Sequence, residues 1–172
     1  MPPERVLPVC PRAVATARPG REAWALEEVL DALAPEPDAV AVETGYPGVF
    51  GVISSSPPCR LASLFMGWEY SFVRSIVVAE KCGPCESGER LAGLVAGACP
   101  RRARFLFRLR GPCKGAFDPR EAASRAGVSE ARGSRYVLAV EGVGGWVIAS
   151  CGVAVERPYG ALVVVPRSCG KS

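Results

Sequence analysis

Two stretches of the chain hold residues whose types and spacing could do chemistry. The first is Lys81-Cys82-Gly83-Pro84-Cys85. Two thiols in a CxxC spacing can close and open a disulfide, and a thiol at a helix N-terminus beside a cation is held nearer the reactive thiolate. The flanking sequence predicts that setting: residues 71–80 (SFVRSIVVAE) read as a strand, KCGPC as a turn and residues 86–99 (ESGERLAGLVAGAC) as a helix. The competing reading is structural. Any of Cys10, Cys59, Cys82, Cys85, Cys99, Cys113, Cys151 and Cys169 can serve as staples, and a sequence does not disclose their pairing. Zinc is disfavoured, because only one CxxC is present and no His can complete a site.

The second stretch is basic. Residues 101–135 hold ten cations (Arg101, Arg102, Arg104, Arg108, Arg110, Lys114, Arg120, Arg125, Arg132 and Arg135) against Asp118, Glu121 and Glu130, a net of +7. Residues 1–100 carry −4 and residues 136–172 carry +1, so a net charge of +4 conceals a strong asymmetry. An acidic half followed by a concentrated basic segment is the footprint of a protein that docks a polyanion with one face. The cations are almost all arginine, which grips phosphate with two parallel hydrogen bonds and stacks on exposed bases as lysine does not. This points to nucleic acid, and to RNA where single-stranded ends are involved.

The residue types that are missing narrow the chemistry further. The chain has no His, which closes the Ser-His-Asp, Cys-His and Cys/His zinc schemes. Carboxylates such as Glu43 and Glu141 have no evident partner acid, so no catalytic residue, metal or cofactor is assigned. There is no Asn or Gln either, and 18 Arg stand against 3 Lys, the bias of a hot, GC-rich genome that avoids thermolabile amides. Intracellular proteins of such organisms can be rich in disulfides. No apolar run reaches the ~18 residues of a membrane span, and Pro and Arg break the N-terminal MPPERVLPVCPRAVATARPG. A cytoplasmic protein is therefore expected.

The elements that must position these residues follow from periodicity. Residues 19–33 (PGREAWALEEVLDAL) place Ala23, Leu26, Val29, Leu30 and Leu33 on one helical face, with Glu27, Glu28 and Asp31 on the other. AVAVETG (39–45) and GVFGVIS (48–54) read as a hairpin, CRLASLFMGW (59–68) as a short helix, and RVLPV (5–9) as a first strand. In the second half Leu91, Leu94 and Val95 should face inward from a helix. Arg104, Leu106, Arg108 and Arg110 alternate with Phe105 and Phe107 along a strand. A helix from about Pro119 to Ala126 starts at an Asp118 cap. YVLAVEGVGGWVIAS (136–150) is a hairpin turning on Gly142, Gly144 and Gly145, and ALVVVP (161–166) is a last strand.

In order and spacing these segments resemble a known family. RPGREAWALEEVLDAL, GVFGVIS and residues 68–77 resemble the ferredoxin-like domain that precedes THUMP domains. RFLFRLRG, DPREAASRAG and YVLAVEGVGGWVIAS are similar to the THUMP core: a Phe-x-Phe-Arg strand, a helix ending at glycine and a closing hairpin. The resemblance covers about residues 16–150 and implies an α+β protein in two parts. These are a ferredoxin-like N-terminal domain over residues 1–81 and a THUMP-like α/β RNA-binding domain over residues 82–172. Between Gly127 and Tyr136 the family has a further short strand; here VSEARGSR leaves little length for it, and a reduced sheet is expected.

The implied function is tRNA modification, with the two domains gripping the acceptor end of tRNA. Fused members of the family carry a methyltransferase, thiolation or pseudouridine synthase domain, for which 172 residues leave no room. The free-standing members assist an RNA cytidine acetyltransferase in making acetylcytidine, so the chain is expected to be a non-catalytic, tRNA-presenting adaptor. Arg101, Arg102 and Arg104 are the first candidates for phosphate contacts, followed by Arg108, Arg110, Lys114 in the GPCKG loop, and Arg120. Phe105, Phe107, Trp68, Tyr70 and Phe72 are read as packing rather than as base platforms. The alternative function is a thiol-disulfide oxidoreductase using Cys82 and Cys85. Against it, a thioredoxin fold needs a cis-proline segment beside the cysteine pair, and the candidates Pro112 and Pro119 lie in basic, glycine-flanked stretches.

Overall fold

The structure, a computed structural model, describes residues 6–169. The first strand is not RVLPV. Residue 5 of that stretch lies outside the described residues, and residues 6–9 are irregular. Strand β1 is instead Ala13–Ala17 (AVATA), whose alanines give little strand signal but let neighbouring elements approach closely. Helix α1 (Glu22–Leu33) follows, then the hairpin β2 (Val40–Glu43) and β3 (Val49–Ile53), helix α2 (Pro58–Met66) and β4 (Val73–Val78). These four strands lie in the order β2-β3-β1-β4, each antiparallel to its neighbour.

The inward face of α1 is rotated from the expected one. Ala25, Val29, Ala32 and Leu33 are buried and Leu30 is exposed, because the two alanines let the helix sit close to the sheet. The rotation also brings Glu28, expected on the outer face, over the entry to β4, where its carboxylate accepts from the backbone N–H groups of Ser71, Phe72 and Val73 at 2.6–2.9 Å. In α2, Leu61 and Phe65 are fully buried, each contributing about 2 kcal/mol of hydrophobic stabilisation.

The second half contains β5 (Lys81–Pro84), a single helical turn at Cys85–Ser87, α3 (Gly88–Gly97), β6 (Arg102–Leu109), α4 (Pro119–Arg125), β7 (Ser129–Glu130), the hairpin β8 (Tyr136–Val143) and β9 (Trp146–Glu156), and β10 (Leu162–Pro166). As in α1, small residues set the contact face of α3. Ala92, Val95 and Ala96 point inward, while Leu94 is exposed. Asp118 caps α4 as expected, its Oδ1 accepting from Arg120 N at 2.9 Å. The stretch before Tyr136 does form a strand, reduced to two residues, pairing parallel to β6. The β8–β9 turn is made at Gly144 and Gly145, both with positive φ.

Both halves belong to one mixed sheet in the order β2-β3-β1-β4-β10-β9-β8-β6-β7. The join is β10, which runs parallel to β4 and antiparallel to β9. KCGPC is not the expected turn. Its first four residues are β5, which pairs with Trp146–Ala149 of β9, the length of that strand that β10 leaves free. No helix among the described residues is long and apolar enough to cross a membrane.

Residue parity along β9 and β10 shows that α1 to α4 all pack on the same face. Val163 joins the core under α1 and α2, while Val147, Ala149 and Cys151 join the core under α3 and α4. The opposite face is also buried, without a helix. Val14, Val49, Val77 and Val164 cluster with Val137, Ala139, Val143 and Ile148. A helix-free face can bury its side chains in this way only when the sheet curls so that its two halves face each other. The N-terminal segment closes one end: Leu7 N donates to Gly144 O, and Trp146 Nε1 donates to Leu7 O.

The eight cysteines form four bridges, Cys10–Cys82, Cys59–Cys169, Cys85–Cys113 and Cys99–Cys151. Two fasten the ends of the chain: Cys10 ties the N-terminal segment to β5, and Cys169 ties the turn after β10 to α2. The other two clamp the layers of the second half. Cys82 and Cys85 are thus in different bridges, and neither is a free thiol.

Candidate nucleic-acid interface

Strand β6 carries three of the seven cations expected to contact phosphate, Arg102, Arg104 and Arg108, and is flanked by Arg101 and Arg110; its alternation sorts them. Phe105, Phe107 and Leu109 pack toward the α3–α4 core. The two phenylalanine rings stack at 4.7 Å, and the Arg120 guanidinium lies over both at 5.6 and 5.9 Å, so the pair is roofed rather than presented. Arg104, Leu106 and Arg108 have the other parity and belong to the helix-free face.

Within the curl, Arg108 and Arg110 converge on Glu141, which is fully buried. Arg108 Nε bonds Glu141 Oε1, and Arg110 Nη1 bonds Oε2 at 2.9 Å. Arg108 Nη2 also donates to Ser75 Oγ at 3.0 Å, and Ser75 Oγ lies 2.5 Å from Thr16 Oγ1. A buried carboxylate is tolerable only when paired and hydrogen-bonded. These two arginines satisfy that need, so both guanidinium groups are already engaged inside the protein. The signal for this was in the sequence: Glu141 is an acid within a strand of otherwise apolar residues.

Arg120 is exposed and paired to Glu130 at 3.0 Å. Lys114 is exposed in the loop after β6. That loop and Arg102 lie at opposite ends of the eight-residue strand, so the structure does not bring Lys114 to the arginines at its start.

Those arginines form a cluster. Strand register places Arg104, Val137, Gly152 and Pro166 in one row across β6, β8, β9 and β10. Arg102 and Arg104 stand at one end of this row, Arg135 beside β8, and Arg167 just beyond Pro166. With strands ~4.8 Å apart, the row spans roughly 14 Å. Arg101 precedes β6; its carbonyl accepts from Ser129 N at 2.8 Å. Arg132 and Arg102 line a cleft of about 380 Å³ together with Ala131, Gly133 and Ser134. Tyr136 is clamped between two guanidinium groups, Arg135 at 4.9 Å and Arg167 at 5.3 Å from its ring centre. None of Arg101, Arg102, Arg104, Arg132, Arg135 and Arg167 has an ion-pair partner among the described residues.

Arg132, Arg135 and Arg167 were not among the expected contacts. The first two were visible as charge in the basic segment. Arg167 was not, since it lies 32 residues beyond Arg135 in sequence and arrives only because β10 ends beside β9.

Among the described residues no group of three or more His, Cys, Asp or Glu is arranged to hold a metal ion. Glu80, half-buried after β4, has its pKa raised by burial, against a hydrogen bond from Cys151 N at 3.0 Å that lowers it.

No family model matches the chain, and no curated protein matches it in sequence. Among solved structures it is similar to TrmN from Thermus thermophilus, with a TM-score of 0.56 and 18% identity, over 86% of this chain and 46% of that one. It is also matched to a predicted N6-adenine-specific DNA methylase from Listeria monocytogenes str. 4b F2365, with a TM-score of 0.41 and 16% identity, over 84% of this chain and 41% of that one. The chain spans less than half the length of either protein. The likeness to TrmN is one of fold.

Proposed function

We propose that this chain binds tRNA through the arginine end of its sheet, does no chemistry on it, and presents it to a modifying enzyme. The observation that carries the reading is the row of arginines across four adjacent strands, none with an ion-pair partner among the described residues. Guanidinium groups gathered in so small an area repel one another and favour an anionic partner. Their spread of roughly 14 Å suits successive phosphates of a nucleic acid better than one small anion.

RNA, and tRNA in particular, is favoured by the sequence resemblance to THUMP proteins, and the fold likeness to TrmN is consistent with it. On this reading β1-α1-β2-β3-α2-β4, with its strand order β2-β3-β1-β4, is the ferredoxin-like unit, and the elements from β5 to β9 are the THUMP-like unit. The non-catalytic role is supported by the cysteines, the most reactive nucleophiles in the chain, all being bridged. The enzyme served is an RNA cytidine acetyltransferase, as for the free-standing members that the sequence resembles.

The test is retardation of tRNA across a salt series. The wild type should bind with log K falling by about 0.9 per log unit of salt for each phosphate engaged, and Arg101→Glu with Arg104→Glu should reduce both affinity and slope. Absence of retardation at low salt refutes tRNA binding. Adding the protein to an RNA cytidine acetyltransferase and its tRNA should raise acetylcytidine yield; no change refutes the adaptor role alone.

A further inference from the structure

A second set of uncompensated arginines lies where β1 ends and where β4 and β10 begin. Pairing of Ala17 with Val73 and of Ser75 with Leu162 brings these three strand ends side by side. Arg18, Pro19, Arg74, Tyr159 and Gly160 enclose an open cleft of about 440 Å³ there, within the 300–1,000 Å³ of common small-ligand sites. No carboxylate lines it, and neither arginine has an ion-pair partner among the described residues. Arg18 is held in place by a hydrogen bond from Nη2 to the Tyr159 carbonyl, while its Nε is buried with no partner.

Tyr159 is the unusual member. Its φ of 65° and ψ of 14° place a bulky side chain in the left-handed region, and no other non-glycine residue among those described has positive φ. The residue is 69% exposed, so packing does not compensate for the strain. Strained backbone of this kind concentrates at ligand sites. The conformation is what lets the Tyr159 carbonyl hold Arg18 while the ring stands out beside the two charges.

We propose that this cleft seats one unpaired nucleotide of an RNA, with its phosphate between Arg18 and Arg74 and its base stacked on Tyr159. A free phosphate would use the arginines and leave the ring idle, and a base-paired strand has no open face to offer it. Arginine beside an exposed aromatic ring is the combination that holds single-stranded nucleic acid. The inference rests on the tRNA-binding reading and adds to it a second contact, on the first half of the chain.

The experiment compares the full chain with its Tyr159→Gly and Arg74→Ala variants, by fluorescence anisotropy with a short single-stranded RNA and with a blunt RNA duplex. Glycine adopts left-handed φ without strain, so Tyr159→Gly should keep or raise Tm. Its affinity for single-stranded RNA should nevertheless fall about tenfold, the loss of one stacked base, with duplex affinity unchanged. Arg74→Ala should lower the salt slope for the single strand by about one phosphate. If wild-type protein retains tRNA while Tyr159→Gly binds single-stranded RNA as before, or loses both RNAs equally, the cleft assignment is overturned and tRNA binding stands. If wild type retains neither tRNA nor single strand, both fall.

Discussion

Arg108 donates from Nη2 to Ser75 Oγ at 3.0 Å, although four strand-to-strand steps separate β6 from β4 in the sheet. A flat sheet would hold those strands roughly 19 Å apart. The contact therefore records the closure of the sheet upon itself. The side chain that makes it is also one of the two that neutralise Glu141. Charge in the basic segment thus has two separate uses, one inside the curl and one at its rim.

Removing Glu141 should test the inner use. Glu141→Ala leaves two guanidinium groups facing a largely dry interior without a counter-charge, and breaking a buried pair in this way costs about 3–5 kcal/mol. The urea midpoint should fall accordingly with little change in slope. Glu141→Gln keeps an acceptor and should lie between. An unchanged midpoint for Glu141→Ala would show that the cluster is not what holds the curl together.

The rim should behave in the opposite way. Arg135→Glu and Arg167→Glu break no ion pair and bury no charge; they lose the guanidinium contacts with Tyr136 and the Arg167 hydrogen bond to Ala98 O, so stability should fall by only about 1 kcal/mol, less than for Glu141→Ala. Each should weaken tRNA binding and reduce the salt slope by about one. Arg108→Ala should instead lose stability while the folded protein keeps its tRNA affinity. Were Arg167→Glu to bind tRNA like wild type while Arg108→Ala did not, the division of roles would be reversed.

That division marks what was legible in the sequence. Periodicity placed every helix and most strands, because apolar spacing is a local signal. It misjudged which face of α1 and α3 turns inward, since alanines at Ala25, Ala32, Ala92 and Ala96 set the closest approach while leucines score higher in a pattern. β1 was missed for the same reason. Composition located the basic segment but could not separate Arg108 and Arg110 from Arg102 and Arg104, because that depends on which arginines the curled sheet brings to the buried Glu141 on β8. Arg167 and the Arg18–Tyr159 cleft depend on β10 joining the two halves, which is a long-range pairing.

Glu80 should make stability depend on pH. Burial raises its pKa in the folded protein, so the folded state holds this proton more tightly than the unfolded chain does. Its contribution is therefore fully present below the ordinary carboxylate range and is lost as pH rises through the raised folded value. Glu80→Gln keeps an acceptor for Cys151 N and removes the titration. The variant should be more stable than wild type at neutral pH, and the two curves of ΔG against pH should converge in acid. Parallel curves would exclude Glu80 as the source.

The bridges give the last test, which separates the two functional readings of KCGPC. Peptide mapping without reduction should find Cys82 joined to Cys10 and Cys85 joined to Cys113. These bridges close segments with sequence separations of 72 and 28 residues, and the chain-entropy account assigns each about 4 kcal/mol. Cys10→Ser with Cys82→Ser should therefore lower Tm markedly, and reduction of the wild type should do so further. A Cys82–Cys85 bridge within one peptide, with Cys10 and Cys113 left unlinked to it, or insulin reduction abolished by Cys82→Ser, would restore the oxidoreductase reading. A dithiol enzyme needs its two sulfurs to find each other during turnover, whereas here β5 lies paired along β9 and each sulfur is committed to a different segment of chain.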